Sequence, residues 1–187
     1  MQKISSSFNP SVNIERDLDK EFEYVVTPNS RHIYNQLVGS LKSGSHSFSI
    51  IGSYGTGKSS FLVAFRKNLI GETLYFEPLN GEFSNVDGFE FDYIVGKYGS
   101  LIEELGLHFD IEDFRNEKEI LAWIDQKHEG LKKEGKFWLL VIDEFGKHLE
   151  YAAKESPEKE LYFIQLLAEY ANEEEKNIFF ITLNFKT

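Results

Sequence analysis

Two apolar runs stand out along the chain. FWLLVI, residues 137–142, and the β-rich NIFFITLN, residues 177–184, read as strands covered on both faces, the pattern of a buried parallel sheet. A shorter stretch at 48–51 (Phe48, Ser49, Ile50, Ile51) predicts another strand, and residues 73–77 a further one. Between them apolar residues recur at helical spacing. Ile33, Leu37 and Leu41 share one face, as do Phe61, Leu62, Phe65 and Leu69, then Ile120, Leu121, Ile124 and Leu131, and finally Leu161, Ile164, Leu167 and Ala171. Start and stop signals frame these helices. Thr27 or Asn29 caps the first, Asn116 with Glu119 spells a capping box, and Ser156-Pro157 forms a cap and first-turn pair. Gly135 ends the helix before the strand at 137. A loop rich in Gly, Asn and Asp follows residue 77, then a helix is expected over about 89–105. Residues 1–26 form an N-terminal arm, with 21–26 as a strand or arm, and residues 27–187 form the core. Alternating strands and helices imply an α/β fold, a three-layer α/β/α sandwich with a mostly parallel sheet.

The segment Gly52–Ser59, GSYGTGKS, lies between the strand at 48–51 and a helical pattern, and it spells a phosphate-binding P-loop in that context. Phosphate oxygens can be surrounded by backbone N–H groups only where no Cβ intervenes, and Gly52, Gly55 and Gly57 supply that freedom. The helix starting near Lys58 turns its unsatisfied N–H groups and positive dipole end toward the same place. Lys58 is expected to reach the β- and γ-phosphates, and Ser59 to offer its hydroxyl to Mg²⁺. Ser53, Tyr54, Thr56 and Ser60 complete the candidate nucleotide-binding set as loop or helix-start residues. Tyr54 either contacts the nucleotide or is an exposed loop aromatic.

The run FWLLVI ends in Asp143-Glu144. A strand tip opens into the ligand crevice of an α/β sheet, so Asp143 is the expected Mg²⁺ ligand. Glu144, one step on, is placed to polarise the water that attacks the γ-phosphate. The long separation of Lys58 and Asp143 leaves room for an intervening strand and two helices.

With Lys58 and Ser59 matching Walker A, and Asp143 and Glu144 matching Walker B, the chain resembles the P-loop ATPases of the additional-strand, catalytic-glutamate division, AAA+ and related signalling ATPases. IIGSYGTGKSSFL paired with LLVIDEFGKHLEYAA is similar to ATP-binding cores of large bacterial AAA-type proteins, some from phage-defence islands. The resemblance implies a P-loop NTPase sandwich, ATP and Mg²⁺ as cofactors, and protein partners or self-association. It implies a polar sensor at the tip of the next strand, Asn184, with Thr182 in its place if that strand ends earlier; Asn184 is also a favoured strand-end turn residue. By the same likeness Asn80 is a candidate restraint on Glu144, and Gly146 and Lys147 form either a coupling surface or a turn with a solvated lysine. Such proteins carry a further strand and a helical lid, so the chain is expected to be the N-terminal ATPase core of a longer protein. The implied function is Mg²⁺-dependent ATP hydrolysis that drives or gates a conformational change in a larger assembly, DNA-related or antiphage. The alternative is a nucleotide-gated binding module with little hydrolysis, and a kinase is disfavoured by the Asp143-Glu144 pair. No N-K-x-D base-recognition motif occurs, which leans toward ATP over GTP.

Charge narrows this. With a formal net charge of −11 over 187 residues, the segment does not itself offer the basic surface that nucleic acid requires. Nucleic-acid contact would need a partner or another segment. The five histidines are scattered without metal-site spacing. No stretch approaches 18 apolar residues and no cysteine is present, a combination expected of a cytoplasmic protein with no membrane role.

Overall fold

In the computed structural model, which describes residues 23–79, 83 and 85–185, the elements follow as α1 (Pro28–Lys42), β1 (Ser47–Gly52), α2 (Lys58–Leu69), β2 (Gly88–Val95), α3 (Leu101–His108), α4 (Glu117–Lys133), β3 (Lys136–Asp143), α5 (Gly146–Glu155), α6 (Pro157–Ala171) and β4 (Ile178–Phe185). The four strands form one sheet in the order β1-β4-β3-β2, and every pairing is parallel. β4 therefore lies between the strand that enters the P-loop and the strand that ends at Asp143.

The period of two along each strand sorts its side chains into two cores. Phe137, Leu139 and Val141 of β3 join Phe179, Ile181 and Leu183 of β4 in a cluster closed by Leu37 of α1 and Phe61, Leu62 and Phe65 of α2. Their neighbours Trp138, Leu140 and Ile142 enter the other cluster with Ile178 and Phe180, closed by Leu105 of α3, Ile120 and Ile124 of α4, and Phe163 and Leu167 of α6. Each such side chain contributes about 1.5–3 kcal/mol on burial, and a strand loaded on both faces fixes the three-layer sandwich expected from the sequence. The helix caps follow expectation in part. Thr27 and Ser30 make a reciprocal capping box on α1. Asn116 accepts from the Lys118 N–H at 3.1 Å, whereas Ser156 stands at the start of α6 without a side-chain capping bond.

Four expectations are corrected. Residues 73–77 form no strand; Phe76 is buried and its N–H donates to Asn68 Oδ1 at 2.9 Å. The expected helix over 89–105 is instead strand β2 followed by α3, because Phe89, Phe91 and Tyr93 alternate with Glu90 and Asp92 at period two and turn toward the α2 core. Ser100 then accepts from the Glu103 N–H and starts α3. Gly146 and Lys147 open a helix, α5, rather than a simple turn. Leu161 is 43% exposed, and Phe163 takes its place in the core. Of the arm, residues 23–26 are irregular; residues 1–22 and Asn80 lie outside the described residues.

As an edge strand, β2 carries a half-buried ionic anchor. Asp92 accepts from the Trp138 indole at 2.7 Å and pairs with Lys127 and His108. Burial pushes its carboxyl up, but the bonds from His108, Lys127 and Trp138 and the Lys127 charge together hold it below the usual range. Among the described residues no helix is long and apolar enough to cross a membrane.

Candidate nucleotide and metal site

The P-loop leaves β1 at Gly52 and enters α2 at Lys58. Gly55 and Gly57 take left-handed φ of 74° and 81°, which other residues adopt only at a cost. Beyond both glycines lies open space, while a Cβ at Gly52 would come within 3.1 Å of Thr56 Oγ1. Thr56 in turn donates to the Ser53 carbonyl at 2.8 Å, closing the loop on itself. Residues 53–57 are exposed. Tyr54, 83% exposed, has its ring 5.6 Å from that of Phe185. Ser60 is half-buried in the first turn of α2.

Lys58 is 8% exposed, and its ammonium donates to the carbonyls of Gly52 at 3.0 Å and Ser53 at 2.9 Å, beneath the Phe185 ring at 4.3 Å. Burial pushes its pKa down, and the Asp143 carboxylate pushes it back up. An arriving phosphate would exchange two neutral carbonyl acceptors for charged oxygens, which make stronger bonds.

Ser59 and Asp143 meet: the Ser59 hydroxyl donates to Asp143 Oδ2 at 2.7 Å, joining the start of α2 to the end of β3. The other Asp143 oxygen accepts from the Glu144 N–H at 2.7 Å. A hydroxyl and a carboxylate converging beside a phosphate cradle form a hard-oxygen donor set that suits Mg²⁺. Glu144 itself stands at φ 52°, a left-handed conformation that costs a non-glycine residue about 1–2 kcal/mol. Its carboxylate is paired with Lys147 on the first turn of α5.

Asn184 is brought to the same end of the sheet. The Phe145 N–H donates to the Leu183 carbonyl at 2.9 Å, tying the tip of β4 to the acidic turn. Asn184 Nδ2 donates to Ser49 Oγ on β1 at 2.9 Å, while its Oδ1, facing Gly146, accepts no hydrogen bond among the described residues. Thr182 is buried within β4, in register with Ser49 and Ile142, so the strand runs past it, and Asn184 and Phe185 are its last two residues. Sequence reasoning missed Ser49 and Phe185. A serine in one strand and a phenylalanine at the end of another carry no local signal; only the β1–β4 register brings them to Asn184 and Lys58.

A second group, Asp125, His128 and Glu129, also gathers ligand atoms within 4.8 Å. Its chemistry disfavours a cation. His128 Nε2 accepts the Asn177 N–H at 3.0 Å, so the neutral ring carries its proton on Nδ1, and Lys176 holds Asp125 at 3.0 Å.

No protein-family model matches the chain, and no curated protein matches it in sequence. Solved structures do. The Aeropyrum pernix ORC2 protein, in ADPNP-ADP complexes, matches at a TM-score of 0.54 and 14% identity over 90% of this chain. PCH-2 of C. elegans matches at 0.51 and 11% identity over 87%. The chain has a P-loop NTPase-like fold. It spans less than half the length of either structure, 44% and 39% respectively.

Proposed function

We propose that this chain is an ATP-binding, Mg²⁺-dependent ATPase core of AAA+ type. The observation that carries the reading is the convergence of Ser59 Oγ and Asp143 Oδ2 at 2.7 Å beside a glycine-built loop. Walker spelling, a sheet with β4 between β1 and β3, and similarity in fold to ORC2 and PCH-2 support it.

The loop amides and Lys58 bind the β- and γ-phosphates, and Ser59 and Asp143 hold the metal. When bound, Mg²⁺ neutralises phosphate charge. Glu144 orients a water and takes its proton as the water oxygen bonds to the γ-phosphorus, while the bond to the β-bridging oxygen breaks and ADP leaves. Asn184, whose Oδ1 is buried against Gly146 without a hydrogen-bond partner among the described residues, accepts from that water once its side-chain amide turns outward. Catalysis of this kind is positioning and electrostatics. Turnover would drive or gate a conformational change in a larger assembly. A defence or DNA-related partner rests on the resemblance of its Walker segments to ATP-binding cores of large bacterial AAA-type proteins, some from phage-defence islands.

Phosphate release and ATP binding by wild type and Glu144→Gln test the assignment. The variant is expected to bind ATP and to lose about tenfold or more of turnover. Equal turnover would remove Glu144 from its role. Binding without turnover in either protein would favour the nucleotide-gated module, a reading consistent with the engagement of Glu144 by Lys147.

A further inference from the structure

Where β2 ends, the chain passes directly behind the acidic turn. Val95 pairs in register with Asp143, and the next residue, Gly96, donates its N–H to the Asp143 carbonyl at 2.7 Å. A Cβ at Gly96 would stand 2.8 Å from the Glu144 carbonyl oxygen, 2.9 Å from the Asp143 carbonyl oxygen and 3.1 Å from the Glu144 carbonyl carbon. All three are backbone atoms, so no side chain can swing aside. Gly96 is not among the glycines at positive φ. Its backbone is one that any residue adopts, and what the site demands is room. Gly99, three residues on, has nothing within 4 Å of its Cβ position.

We infer that Gly96 is a positioning residue for Asp143 and Glu144: its missing side chain lets the edge strand press against their backbone carbonyls and fix where both carboxylates point. The inference rests on the ATPase reading above. It touches two successive peptides: the Asp143 carbonyl belongs to the one whose N–H bonds Asp143 Oδ1, the Glu144 carbonyl to the next, and Asp143 itself meets Ser59. A methyl group at Gly96 must push this backbone back by a few tenths of an ångström or more to reach ordinary contact. That shift moves a metal ligand and the water-orienting group together. The P-loop, carried by β1 and α2, stays where it is.

The test compares wild type, Gly96→Ala and Gly99→Ala in three measurements: ATP affinity without metal, Mn²⁺ affinity of the ATP-loaded protein by electron paramagnetic resonance, and phosphate release with Mg²⁺. Gly96→Ala is expected to keep metal-free ATP affinity within about twofold, to weaken Mn²⁺ about tenfold and to lower turnover by about 10- to 100-fold, as misplacement of this size does. Gly99→Ala should match wild type in all three. A purely structural role would lower the melting temperature or metal-free ATP affinity and leave the Mn²⁺ affinity of the folded fraction unchanged. Wild-type Mn²⁺ affinity and turnover in Gly96→Ala would overturn the inference. If wild type releases no phosphate, the hydrolytic reading fails, and the Mn²⁺ comparison alone still decides Gly96. If Gly96→Ala does not fold, exchange of the Gly96 amide in wild type decides. It should slow several-fold with ATP and Mg²⁺ relative to ATP with chelator, because metal ligation clamps the turn it bonds; equal rates would overturn the inference.

Discussion

In the P-loop, left-handed backbone falls on glycines, Gly55 and Gly57; in the acidic turn at the tip of β3 it falls on Glu144. Ser59 joins the two regions through one hydrogen bond, but they are built differently. The loop is exposed and held by local contacts such as Thr56 to Ser53. The turn is held from outside, by Gly96 behind it, Phe145 bonded to β4, and Ser59 in front. A loop whose conformation is written into its own residues transfers as a motif. A strained carboxylate needs the surrounding sheet, and such strain gathers at functional sites.

Lys58→Ala strikes the loop and should have the largest effect: ATP affinity falls about tenfold or more, equivalent to about 1.4 kcal/mol, in a calorimetric titration. Unchanged affinity would dissolve the phosphate-binding half of the comparison. Glu144→Gly strikes the turn and should separate stability from function. Relief of the left-handed cost, offset by the extra freedom of glycine in the unfolded chain, predicts a gain of up to about 1 kcal/mol in denaturant unfolding, with turnover lost. A clear loss of stability would mean that the turn is not strained.

Acid should weaken the packing behind the turn. His148 on α5 is 1% exposed and donates from Nδ1 to the Gly99 carbonyl at 2.8 Å, in the loop that begins at Gly96. Burial pushes its pKa below 6.5, against the raising effects of the Gly99 bond and of Glu104 and Glu160; Lys97 acts to lower it. A depressed histidine binds fewer protons folded than unfolded. Stability is therefore full above about 6.5 and declines as pH falls from there to the folded pKa. His148→Gln, which keeps a donor, should flatten that decline in melting curves taken between pH 7 and 5, while an identical slope would assign it elsewhere. The smallest effect is expected of Lys147→Ala. Its pair with Glu144 is half-exposed and a lysine at a helix start opposes the dipole, so stability should change by less than about 1 kcal/mol. A larger change that persists at high salt would show that the turn leans on this pair.

The sequence by itself determined the loop, the two carboxylates and the sandwich. Each rests on local information: glycines where φ must be positive, a strand loaded on both faces, helix faces at 3.6-residue spacing. Even the misread segment at 89–105 carried its period-two pattern openly, in Phe89, Phe91 and Tyr93. What only the tertiary structure decided is which distant residues share the site. Ser49 meets Asn184, Phe185 covers Lys58, and Gly96 backs the Asp143 and Glu144 carbonyls. Those meetings follow from the strand order β1-β4-β3-β2 and its register, which are set by how two cores pack against the sheet and leave no mark on the residues they bring together.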